Sequence, residues 1–136
     1  MGTDIQEVLD SFTIKVPTFS GSLDYAMQLM KSAIAKVYRH TYDKLDYHYD
    51  AESKTGSFDS KISNASVELI ALAMACDYYL REIGFLTTRK EYVGTQAFNK
   101  IPSNKDKLTV LKGNYEKWVE ELQMFVEEFP DYSDER

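Results

Sequence analysis

The ten residues Val67–Cys76, VELIALAMAC, constrain this chain more than any other feature. Apart from Glu68 the run is apolar all round a helical wheel. A helix made from it must therefore be covered by neighbours on several sides. It is about half the roughly 20 residues that a membrane-spanning helix needs, and it carries a carboxylate. It reads as a core pillar. Ala71, Ala73 and Ala75 would let the surrounding helices come close. The helical stretch is expected to run from about Ser63 to Ile83, with Gly84 as its C-terminal stop.

Three other segments carry the amphipathic spacing that such a pillar requires. Near the start, Ile5, Val8, Leu9 and Phe12 share one helical face, and Thr3 and Gln6 have the spacing of a capping box. So short a helix is unstable alone and must dock. Ser22 then opens a helix expected to last about six turns, with Leu23, Ala26, Met27, Met30, Ile34, Val37, Tyr38, Thr41, Tyr42 and Leu45 on its face. The last helix is expected to begin at Ser103 and stop at Phe129–Pro130. Leu108, Leu111, Tyr115, Trp118, Val119, Leu122, Phe125 and Val126 form its stripe, and Gly113 is a tolerated flaw.

The connections between these segments are read as an extended stretch SFTIKVPTFSGS, broken by Pro17 and Gly21, a polar loop Ala51–Ser60, and a long connection Phe85–Pro102. There is no internal repeat. The expectation is an all-α fold, a small bundle of about four helices with extended connectors. It forms one domain over residues 1–136. Residues 1–21 are the N-terminal helix and connector, 22–129 the helical core, and 130–136 an acidic tail.

Charge narrows the classes of partner. The net charge is −6, and residues 116–136 hold eight acidic side chains against Lys117 and Arg136, a local excess of six that equals the whole. No cluster of Lys and Arg is present to displace counterions from nucleic acid, so tight DNA binding is disfavoured. The opening MGTDIQEVLD lacks the basic-then-apolar order of a signal peptide, and Gln6 stands where N-myristoylation wants Ser or Thr. A soluble protein is expected.

The only cluster with the residue types of a metal or acid–base site is His40, Asp43, Asp46, His48 and Asp50. It lacks the density of a metal motif, and it reads as the solvated, tyrosine-laced end of a helix. The single cysteine, Cys76, lies in the apolar run and reads as a buried small hydrophobe, not a nucleophile. No glycine-rich phosphate loop or nucleophile elbow occurs. The expectation is a chain that is not an enzyme and needs no metal or cofactor.

What the chain does have is spare aromatic surface: ten Tyr and seven Phe. Tyr92, Val93, Phe98 and Ile101 fall on the long connection, where they either meet a partner or cap the domain's own core. Phe129, Pro130 and Tyr132 lie past the last helix. Tyr92, Phe98, Ile101, Phe129, Pro130 and Tyr132 are therefore the candidate partner or oligomer contacts.

From Phe58 to Leu122, the runs FDSKISNASVELIALAMACDYYL and EYVGTQAFNKIPSNKDKLTVLKGNYEKWVEEL resemble the head–tail connector (adaptor, or neck) proteins of tailed bacteriophages. The likeness lies in a polar turn before a helix reading E-L-I-A-L-A-M, a G-x-x-x-F loop and a polar-capped last helix. It covers about half the chain. It implies a helical bundle that forms a homo-oligomeric ring under the portal protein and joins the filled capsid to the tail or a stopper protein. The expected location is the virion neck, after assembly in the host cytoplasm. Genomic DNA would be a passing, non-specific occupant of the channel, and no membrane is involved. Two other classes stay open: a small helical regulatory or inhibitor protein that binds another protein, and an enzyme subunit or metal-binding helical bundle using the His40–Asp50 cluster.

Overall fold

A computed structural model describes residues 2–94 and 102–128. Four helices and one β-hairpin follow in order: α1 (Ile5–Lys15), α2 (Leu23–Val37) with a 3-10 turn (Tyr38–His40), β1 (Tyr47–Asp50), β2 (Thr55–Phe58), α3 (Asn64–Val93) and α4 (Pro102–Glu128). The fold is all-α in its bulk, with the two-stranded hairpin as an addition the sequence reading did not anticipate.

The pillar stands where the apolar run placed it. Every residue from Leu69 to Asp77 is buried, and α1, α2 and α4 all pack against α3. At 30 residues, α3 is about 45 Å long. Among its described residues the one buried charge, Asp77, is held by Lys36 of α2 at 3.1 Å and approached by Arg81 at 3.3 Å. Ile5, Val8, Leu9 and Phe12 are buried as their spacing requires. Phe12 meets Phe19 and Tyr78 edge-on, which staples α1 and the following connector onto α3.

Several element ends differ from expectation, and each difference has a local cause. The cap of α1 is Asp4, whose carboxylate accepts from the Gln6 N–H at 2.9 Å. Thr3 is drawn inward instead: its carbonyl accepts from Phe58 N–H and its hydroxyl from Ile62 N–H. Helix α1 also runs on through Ile14, so the extended connector starts only at Val16. Ser22 caps α2 as expected, its hydroxyl accepting from the Tyr25 N–H.

The six-turn helix does not form, because α2 ends at Val37. Thr41 adopts an extended backbone and its side chain turns to Ser66 at the start of α3. The polar loop is half strand. Tyr47 and Tyr49 alternate inward with His48 and Asp50 outward, a period of two that favours β structure. Tyr47 pairs with Phe58 in register, their ring centroids 6.0 Å apart. Gly56 permits this close pairing, since the His48 carbonyl oxygen occupies the space a Cβ would need.

Gly84 does not stop α3. The helix passes through it for nine more residues, and Gly94, at φ +87°, takes the C-terminal position instead. A glycine inside a helix costs only about 1 kcal/mol relative to alanine. Leu86, buried two residues beyond Gly84, outweighs that cost, since burying one leucine contributes about 1.5–3 kcal/mol. Tyr92 therefore belongs to a helix, not a loop. Pro102, with its φ already suited to a first helical turn, opens α4 one residue ahead of Ser103.

Candidate functional site

The cluster His40, Asp43, Asp46, His48 and Asp50 is scattered by the fold. Asp43 Oδ2 accepts from Ser63 N–H at 2.8 Å, Ser63 Oγ at 2.9 Å and Ser66 Oγ at 2.6 Å, so its charge sits on the first turn of α3. An anion there complements the positive end of the helix dipole. His48 is exposed and stands 3.3 Å from Asp59 on the neighbouring strand's exit. Asp50 accepts from the Glu52 N–H in the hairpin turn, which holds its carboxyl below the usual carboxylate range. Among the described residues no three His, Cys, Asp or Glu converge.

These assignments predict opposite outcomes for two similar substitutions. Asp43→Ala should cost about 1–3 kcal/mol, because it removes an ionised acceptor that takes three hydrogen bonds at the start of α3. His48→Ala should stay within about 0.5 kcal/mol. Urea unfolding of both variants, with unchanged slopes, measures the difference. Equal midpoints would show that Asp43 does not anchor α3.

A concavity of about 160 Å³ lies over this anchor, walled by Thr41, Asp43, Ser66 and Phe125, and its Ser, Thr and Asp side chains are bonded mainly to one another. Cys76 is buried on α3, where loss of solvation pushes its thiol up to about 11. The reactive thiolate is scarce at neutral pH.

The surface that stands out is along α4. This helix is 27 residues, about 40 Å. It carries the stripe read from the sequence, yet of that stripe only Leu111 is buried, at 9% exposure. Leu108, Tyr115, Trp118, Leu122, Phe125 and Val126 touch the core while remaining half-covered. Helix α4 packs chiefly on α3, which covers one side. On its open flank, Val110 and Met124 are 60% and 58% exposed. With Lys117 between them they recur every seven residues, on one line of the helix surface.

Between this flank and the end of α1 runs a groove of about 700 Å³. Ile14, 79% exposed, faces it from α1, with Val110 and Trp118 on the other side. Lys15 sits at its wall, its ammonium 2.7 Å from Glu68 and 6.0 Å from the Trp118 ring. That half-exposed pair links α1 to α3 beside Trp118 of α4.

Of the candidate contacts read from the sequence, Tyr92 lies in α3, and Phe98, Ile101, Phe129, Pro130 and Tyr132 fall outside the described residues. Ile14, Val110 and Met124 were missed. For Val110 and Met124 a signal existed: each is a large apolar residue off the main stripe of an otherwise charged helix. Ile14 was hidden inside what read as a connector. No described helix is long and apolar enough to cross a membrane. Comparison of the chain with known protein families, with characterised proteins and with solved structures finds no match.

Proposed function

We propose that this chain is a structural, non-catalytic protein of a tailed-phage neck, forming a ring that joins the portal and capsid to the tail or stopper. The observation that carries this reading is α4: a 40 Å helix whose apolar stripe is half-covered and whose open flank exposes Val110 and Met124. Exposed apolar groups aligned along one element suit a partner surface. The resemblance over residues 58–122 supplies the kind of assembly. Tyr92, Phe98, Ile101, Phe129, Pro130 and Tyr132 belong to the same reading as contacts between copies or with the portal. An acidic subunit also suits a channel that DNA must slide through, since basic groups would retain phosphates.

Complementation of a phage lacking this gene tests the role. The wild-type chain should enter particles and restore joined heads and tails. Val110→Asp with Met124→Asp should fold normally by circular dichroism, because both side chains face solvent, yet yield DNA-filled heads without tails. A chain absent from purified particles, or joined particles formed without the gene, would end the proposal.

A further inference from the structure

We infer that the groove between the end of α1 and α4 receives the acidic C-terminal sequence Glu127–Arg136 of a second copy of this chain. The inference rests on the ring-forming reading and names the chemistry of one contact in it.

The groove offers aliphatic and indole surface from Ile14, Val110 and Trp118. Lys107 and Lys117 supply cations on its α4 side, the latter 4.7 Å from the Trp118 ring. Among the described residues that line it Asp106 is the one carboxylate, and the Lys15 ammonium is already held by Glu68. In a chain of net charge −6, a concavity with more cations than anions favours an acidic, partly apolar ligand.

The sequence EEFPDYSDER has that composition. Phe129 and Tyr132 are apolar anchors three residues apart, interleaved with Glu127, Glu128, Asp131, Asp134 and Glu135. Helix α4 shows the same polarity along its length. Residues 102–117 hold four lysines against Asp106 and Glu116, while 118–128 hold four glutamates and no cation. The basic half of one copy thus complements the acidic end of another.

At the Val110 end of the groove, reach dictates that the ligand comes from a different copy. From Val110 to Glu128, α4 advances about 27 Å. Tyr132 is four residues further on and can return at most about 14 Å. A tyrosine beside Val110 therefore belongs to a neighbour. Such a contact joins two unlike surfaces, tail to groove, and its repetition closes into a ring or runs on as a filament.

Trp118 is the only tryptophan, so its emission reports on the groove. The full chain is titrated with fluorescein-labelled EEFPDYSDER, following both peptide anisotropy and Trp118 emission. Saturable binding that perturbs Trp118 is expected. Lys107→Glu with Lys117→Glu should raise the Kd about tenfold or more, and so should replacing the five peptide acids by Asn and Gln. No saturable signal up to about 1 mM peptide, or equal binding of the uncharged peptide, would overturn the inference; 1 mM is already only about 4 kcal/mol. Particle incorporation is read separately. A chain that joins particles but ignores the peptide removes this contact and leaves the neck assignment. A chain that binds the peptide but never enters particles removes the assignment and leaves the contact.

Discussion

Met74→Asp should yield no soluble, cooperatively melting protein. Met74 is at 0% exposure in the middle of α3, inside the contiguous core to which α1, α2 and α4 all contribute. Losing its packing costs about 2–5 kcal/mol. A carboxylate in that place also loses its hydration without a partner, at several kcal/mol more. A domain of this size has only about 5–15 kcal/mol of stability to lose. Leu72→Asp, on the same pillar and also buried, at 3% exposure, should behave likewise. Met74→Leu, which conserves volume and polarity, should cost less than about 1.5 kcal/mol and serves as the control. Expression, far-ultraviolet circular dichroism and thermal melting separate the outcomes. A soluble Met74→Asp protein with a sigmoidal melt would mean that α3 is not the centre of the fold.

Phe12→Ala should lower stability by about 3–5 kcal/mol, the range for emptying a buried phenylalanine site. For a chain of 136 residues this is a fall of roughly 10–20 °C in Tm. The ring is fully buried, with centroids 5.1 Å from Phe19 and 6.3 Å from Tyr78. It therefore joins three segments: α1, the connector and α3. An 11-residue helix has little stability of its own, so α1 persists only through contacts of this kind. Thr13→Ala, one residue along on the exposed side of α1, should change the melt by less than about 0.5 kcal/mol. Calorimetry of the two variants gives the comparison. A Phe12→Ala loss below about 1 kcal/mol would show that α1 contributes little to the folded body.

The candidate surface was less legible than the core. Spare aromatic residues pointed to assembly, but the six named positions lie at the end of α3 or outside the described residues. The exposed flank of α4 emerged only with the fold. Exposure is a property of what a residue's neighbours leave uncovered. Ile14 has the same side chain as Ile5, yet one is 79% exposed and the other buried. They differ only in which side of α1 meets α3 and the hairpin.

The sequence by itself determined the elements whose periodicity is strong and whose partners are interchangeable. An all-round apolar decapeptide must be central whatever surrounds it, and Ile5, Val8, Leu9 and Phe12 must face inward whichever helix receives them. Ser22 caps α2 through a hydrogen bond made within four residues. Tertiary structure decided the places where local signals were balanced. Tyr38–Leu45 keeps a helical spacing, but Thr41 and Asp43 are worth more on the first turn of α3, 20 to 25 residues away. Thr3 could cap α1, but the incoming strand offers it Phe58 and Ile62. Gly84 could end α3, but Leu86 has a buried place beyond it. In each case the local preference is about 1 kcal/mol, and one distant buried contact of similar or greater size reverses it.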